Sequence, residues 1–206
     1  MNAHFGKTKK RKKKMKLSIL TPTIRGREKQ LQALQTRIEE QSSALKSLGQ
    51  VEHLILSDNR TRSIGEKRQS LVNIANGKYI AFVDDDDDIC DGYVLEILKA
   101  AQSNPDVITF KQQAFYNEHE SEIIFGINNQ DQPFNPGGIT YRGPWHICAW
   151  KREVIADCQF AFTNYGEDKI WSLQARQKIK TGLHIDKILQ IYRHSSLTTE
   201  APESLY

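Results

Sequence analysis

Five apolar or aromatic residues, Tyr79 to Val83, run directly into five consecutive aspartates, Asp84 to Asp88. Adjacent carboxylates repel one another and aspartate is a poor strand former, so neither stability nor propensity accounts for the run. It is either a solvated acidic turn or a place where positive charge is held. The apolar stretch follows the turn signal Asn76-Gly77 and reads as a short strand buried on both faces of a parallel sheet. The aspartates then sit at its carboxyl end. In open α/β sheets that edge binds ligands, and hard cations such as Mg²⁺ or Mn²⁺ take carboxylate oxygens there together with a substrate's phosphates. Along an extended chain Asp84 and Asp86 share a side. A calcium loop of the EF-hand type fails on spacing: with Gly92 as its central glycine, the ligand positions at Ile89 and Leu98 are apolar.

The length, 206 residues, suits one domain with a proper core. Of the 29 lysines and arginines, eight fall in residues 1 to 16, which carry no acid; the remainder of the chain holds 21 basic against 25 acidic residues. The expected division is a basic tail over 1–15, a catalytic domain over 16–199 and a short tail over 200–206. The basic tail is either solvated or a contact for phosphates of nucleic acid or anionic lipid. Cys90, Cys148 and Cys158 are scattered without C-x-x-C spacing, which gives neither a disulfide framework nor a zinc site and fits a reducing, cytoplasmic setting. No stretch is apolar for the ~18 residues that cross a bilayer, and the first residues lack a signal-peptide core.

Strand and helix patterns alternate along the first half. Lys16 to Thr21 reads as a strand stopped by Pro22, and Arg27 to Leu48 as a helix with Leu31, Leu34, Ile38, Leu45 and Leu48 at helical spacing. Val51 to Leu56 is a strand, Ile64 to Ala75 a helix, Tyr79 to Val83 the strand before the aspartates, Asp91 to Ala101 a helix and Val107 to Lys111 a strand. This alternation predicts an α/β fold with a mainly parallel sheet flanked by helices in one domain. Residues 112 to 150 read as short strands around a Pro- and Gly-containing loop. Segments 152–157 and 167–180 read as helical, and Ile185 to Tyr192 as a strand.

Four separated stretches, LSILTPTIRGRE, LILSDN, GEKRQSLVNIANGKYIAFVDDDDD and NYGEDKIWSLQAR, occur in the order of the motifs of the family 2 glycosyltransferases. Over residues 16 to 199 the chain resembles that family and its Rossmann-like GT-A fold. The resemblance implies transfer of a sugar from a nucleotide-sugar donor with inversion at the anomeric carbon, assisted by Mn²⁺ or Mg²⁺. It implies donor-nucleotide contacts from Thr21, Pro22, Thr23 and Arg25, from Asp58 as acceptor for a uracil ring N–H, from Lys67 and Arg68, and from Asp84 and Asp85. It implies metal ligation by Asp86, with Asp84 and His194 as further candidates. The metal register within the aspartate run stays open by one residue, and His194 follows Arg193 one position earlier than in the family pattern.

In NYGED the resemblance makes Asp168 the base that takes the acceptor hydroxyl proton, with Glu167 beside it, and sets Trp145 and His146 on the acceptor side. Chemically, an inverting displacement needs one base opposite the leaving group, and a leaving nucleoside diphosphate needs its negative charge offset. Glu167 and Asp168 would also favour the positive N-terminus of the helix they open. The acceptor is a glycan or, reading the basic tail as a phosphate contact, a hydroxylated base in DNA flipped from the duplex. A non-catalytic nucleotide-binding protein of the same fold is the alternative of another class.

Overall fold

The computed structural model describes residues 15–45 and 47–194. The basic tail over 1–15, apart from the backbone of Met15, and the tail over 200–206 lie outside them.

The elements run β1 (Met15–Ile24), α1 (Glu28–Ala44), β2 (Gln50–Asp58), α2 (Ile64–Ile74), β3 (Tyr79–Phe82), β4 (Asp88–Ile89), α3 (Tyr93–Ala100), β5 (Val107–Tyr116), β6 (His119–Phe125), β7 (Ile139–Arg142), β8 (Ala149–Lys151), α4 (Glu167–Arg176) and β9 (Gly182–His194). The sheet is ordered β2-β1-β3-β8-β5-β6-β7, and β9 pairs with both β4 and β5. Strands β2, β1 and β3 are mutually parallel, and β9 runs parallel to β5. The expected α/β class, a largely parallel central sheet with covering helices, is therefore the observed one.

Two local expectations change. β1 does not stop at Pro22. Its pairing with β3 ends at Leu20–Phe82, but its pairing with β2 continues to Ile24–Asp58, so the strand passes through the proline with one flank paired. Residues 152–157 are turns rather than a helix, closed by bonds from the Val154 N–H to the Lys151 carbonyl (3.0 Å) and from the Cys158 N–H to the Ile155 carbonyl (3.0 Å). So short a segment forms too few bonds to offset helix nucleation. The three-residue β8 from the second half lies between β3 and β5, antiparallel to both.

The core explains the apolar pattern. All four residues of β3 are buried, because β3 lies between β1 and β8 and is covered on both faces. Leu34 and Ile38 bring α1 onto one face, and Trp171 of α4 stacks on Phe160 at 4.9 Å and meets Trp150 of β8 edge-on at 5.5 Å. These contacts fix the carboxyl end of β3, where the aspartates begin, against the start of α4.

Candidate active site

The chain turns within the aspartate run. The Asp87 N–H donates to the Asp84 carbonyl (3.1 Å), so Asp84 and Asp86 are not related by strand alternation and the five carboxylates fan apart. Most of the positive charge they call for comes from this chain. Arg68 Nη1 and Nη2 donate to both oxygens of Asp84 (2.9 and 2.8 Å). Asp85 accepts from Thr23 Oγ1 (2.5 Å) and Arg27 Nη1 (2.7 Å), and the same Arg27 nitrogen reaches Asp86 (3.1 Å). Arg37 pairs with Asp88 at 3.3 Å. Asp87 faces inward, accepting from Gln190 Nε2 (3.3 Å) and the Arg193 N–H (3.4 Å).

The charge balance is uneven. Burial alone would raise Asp84, but the Arg68 guanidinium outweighs it and holds its carboxyl below the usual range. Asp86 is pushed up to about 6 by burial and by the charge of Asp84, and Asp87 is raised by burial and by Asp84 and Asp86. An acid whose folded pKa lies above its unfolded value binds more protons when folded, so Asp86 makes stability fall as pH rises from about 4 through 6. Asp86→Asn is accordingly expected to stabilise the ligand-free protein by about 1–2 kcal/mol at pH 7 and to flatten the loss between pH 4 and 6. Urea denaturation across that range checks it; an unchanged or lowered stability at pH 7 would remove the strain from this residue.

Around the turn lie two cavities of about 240 Å³ each. The first is a cleft between the β1 end, the loop after β2 and the end of β9. Into it come Arg27, Arg60, Arg62, Lys67 and Arg193 alongside Asp84, Asp85 and Asp86, so cations outnumber carboxylates. Pro22 and Thr23 line it as expected. Thr21 does not: it is fully buried, and its hydroxyl donates to the Val83 carbonyl (2.8 Å) beside His53 Nε2 (2.9 Å), because at this position β1 still lies between β2 and the chain leaving β3. Arg25 is exposed outside the cleft, its backbone N–H donating to the Asp58 carbonyl (3.1 Å) and its charge acting on Glu28.

Asp58 also differs from its expected role. Its carboxylate accepts from the N–H groups of Arg60, Thr61 and Arg62 (3.2, 3.1 and 2.8 Å), from Thr61 Oγ1 (3.2 Å) and from Lys67 Nζ (3.1 Å). Five donors on about four lone-pair directions leave no acceptor for a nucleobase in this arrangement. Asp58 instead folds the loop that carries Arg60 and Arg62 into the cleft. Lys67, buried, also donates to the Thr23 carbonyl (3.1 Å), tying β1, β2 and α2 together.

The second cavity opens between β5, β6 and α4, and contains Asp168, His146, Trp145 and Arg142. Asp84 and Tyr192 border both cavities, so the two meet at the acidic turn. Gly166 precedes α4 with φ 75°, a left-handed conformation that suits glycine, and aims the first turn of the helix at this junction. Glu167 is 4% exposed and accepts from Arg68 Nε (3.2 Å); burial raises its pKa against the pull of that guanidinium. It holds Arg68 and faces neither cavity, whereas the Asp168 side chain is 27% exposed and faces the second. His146 Nδ1 lies 3.8 Å from Asp168 Oδ2, and burial, helped by Arg68, pushes its pKa down to about 4, so the imidazole is neutral.

His194 is not brought to the acidic turn. Its ring stacks on Tyr116 at 4.0 Å and 3°, and it borders neither cavity; Tyr192 and Arg193 take that place. Among the described residues no three histidine, cysteine or carboxylate side chains gather as a closed metal site. What the turn offers is two hard oxygen donors, Asp84 and Asp86, at the cleft wall. That donor set fits Mg²⁺ or Mn²⁺ bound through one or two carboxylates with phosphate oxygens and water completing the shell. The residues that sequence reading passed over are Arg27, Arg60, Arg62, Arg142, Tyr192 and Arg193. Arg27 stood inside the first quoted motif, and the Arg-Thr-Arg after LSDN was a visible basic signal.

A backbone of this shape recurs in solved proteins. The chain shares its fold with S. aureus TarS. Against TarS residues 1–349 in complex with UDP, the TM-score is 0.62 at 15% identity, covering 88% of this chain and 61% of that one. Against the same fragment in complex with UDP-GlcNAc it is 0.63 at 14% identity, covering 91% and 62%. The chain thus spans about three fifths of the TarS fragment it matches, and 37% of the longer TarS structure. No family model and no curated protein sequence matches this chain. At this identity the likeness is one of fold. No helix among the described residues is long and apolar enough to cross a membrane.

Proposed function

We propose that the chain is an inverting glycosyltransferase that moves a sugar from a UDP-sugar to an acceptor hydroxyl, assisted by Mn²⁺ or Mg²⁺. The observation that carries this reading is the pair of cavities meeting at Asp84 and Tyr192. One is rich in cations and suits a diphosphate; the other is lined by the Asp168 carboxylate. The fold shared with TarS, solved with UDP and with UDP-GlcNAc, supports a uridine diphosphate donor.

In this reading Arg27, Arg60, Arg62, Lys67 and Arg193 hold the diphosphate and offset the charge that grows on it as the sugar departs. Asp84 and Asp86 would hold the divalent cation, which supplies further charge stabilisation to the leaving group without proton transfer. Asp168 accepts the proton of the acceptor hydroxyl from the second cavity, opposite the leaving group. Glu167 and Arg68 position rather than react, since both are buried and Arg68 donates to Glu167 and to Asp84. A DNA acceptor rests on the basic tail, which lies outside the described residues.

Turnover decides between this reading and a non-catalytic nucleotide binder. UDP release from UDP-glucose and UDP-GlcNAc with Mn²⁺ is expected to exceed an EDTA control. No release from any donor would leave a nucleotide-binding protein, and equal release in EDTA would assign the leaving-group charge to the five cleft cations alone.

A further inference from the structure

Arg142, at the end of β7, lines the second cavity with its guanidinium over the Trp145 ring at 5.0 Å. Among the described residues it makes no ion pair, and its Nε is buried without a hydrogen-bond partner. The carboxylate with the strongest pull on it, Asp131, is already held by Arg176 (2.8 and 3.0 Å), by Trp145 Nε1 (3.1 Å) and by the Gly143 N–H (3.0 Å). Of the other acids bordering the cavity, Asp84 is bonded to Arg68 on both oxygens, and Asp87 accepts from Gln190 Nε2 (3.3 Å) and the Arg193 N–H (3.4 Å). Asp168 accepts from the Lys169 N–H (2.7 Å) and lies 3.8 Å from His146 Nδ1. A buried Nε–H without a hydrogen-bond partner is costly, and the planar fork of the guanidinium matches phosphate and carboxylate oxygens.

A second observation points to the same space. His146 is 6% exposed, lines the cavity and has no partner for either ring nitrogen. A neutral imidazole offers one donor and one acceptor, as a hydroxyl or a protonated oxygen requires. Two unmet polar side chains on one small cavity describe a ligand with an anionic group and hydroxyls.

We propose that the acceptor is an anionic glycan or polyol, carrying a phosphate or carboxylate that Arg142 binds while His146 bonds a hydroxyl of the same unit, beside the hydroxyl presented to Asp168. This rests on the glycosyl-transfer reading for the fate of that hydroxyl, but the anion site itself does not. A small anionic unit is favoured over a nucleic acid because a duplex needs a basic track, and residues beyond position 16 hold 21 basic against 25 acidic residues.

The test uses the full chain with UDP filling the donor cleft, so that added anions report on the second cavity. Inorganic phosphate and glucuronate are titrated against the arginine Nε–H and histidine ring signals in ¹⁵N spectra, with glucose as the neutral control. The Arg142 signal, identified by its loss in Arg142→Lys, is expected to move with phosphate or glucuronate and not with glucose. Arg142→Gln should weaken that binding about tenfold or more while UDP affinity stays within about twofold, and Arg142→Lys should restore part of it. The stronger of the two anions identifies the acceptor's charged group. No shift of Arg142, or equal anion binding in Arg142→Gln, overturns the proposal. So does a single-stranded oligonucleotide that moves the same signal at far lower concentration, which would make the acceptor nucleic acid. Anion binding at Arg142 without any UDP-sugar turnover would sink the transferase reading alone and leave the anion site standing.

Discussion

Asp168→Asn is expected to lower sugar transfer by about 10²- to 10⁴-fold and to leave UDP affinity within a few-fold of the parent. Asparagine keeps the size of the side chain and its place in the first turn of α4, but it cannot accept the acceptor's proton. UDP binding should be spared because Asp168 faces the second cavity, whereas the cations that would meet the diphosphate line the first. Initial rates and calorimetry with UDP separate the two effects. Transfer at the parental rate would take Asp168 out of the chemistry and leave it as a helix-terminal charge.

Arg68→Met should cost about 3–5 kcal/mol of folding stability, more than any substitution in the cleft itself. Arg68 is 3% exposed and lies between Asp84, bonded on both oxygens, and Glu167, with its guanidinium also 5.1 Å from the Phe82 ring centre. Methionine fills similar space but leaves two carboxylates confined without a cation. Those carboxylates then favour the protonated form when folded, so the variant's loss relative to the parent should shrink as pH falls from 7 toward 5, whereas the parent's Asp84, held below the usual range, changes its contribution only below about pH 4. Denaturant titration of both proteins at pH 7 and pH 5 checks the size and the direction of the difference. A loss below about 1 kcal/mol at pH 7 would mean that water already screens this network.

The aspartate run shows how far a sequence carries this kind of argument. A strand ending in like charges implies positive charge nearby, and that implication holds: Arg68, Arg27 and Arg37 each meet a carboxylate of the run. Which cations they are could not be read, because Arg68 lies 16 positions before Asp84 and Arg27 lies 58 before Asp85. Only parallel pairing of β1 with β3 and packing of α2 over them bring these side chains to one edge. Thr21 and Asp58 show the opposite limit. Their residue types suit a nucleotide site, yet Thr21 is buried between β2 and the chain leaving β3, with its hydroxyl on the Val83 carbonyl, and Asp58 is occupied by the backbone of its own loop. Neither orientation is a property of the motif.

What the sequence determined by itself is local and periodic. The alternation of short apolar strands with amphipathic helices set the α/β class, the carboxyl end of β3 set the edge where the charges lie, and the Gly-Glu-Asp at the start of α4 set a second group of acids. These follow from side-chain spacing and charge, which neighbours in sequence share. The tertiary structure decided the rest. It inserted β8 between β3 and β5, turned the chain within the aspartates, excluded His194 by stacking it on Tyr116, and left the Arg142 Nε and both His146 ring nitrogens at one cavity without a hydrogen-bond partner among the described residues. Each of those outcomes depends on contacts between residues far apart in the chain, where packing and the pairing of buried charge choose among arrangements that the local pattern allows equally.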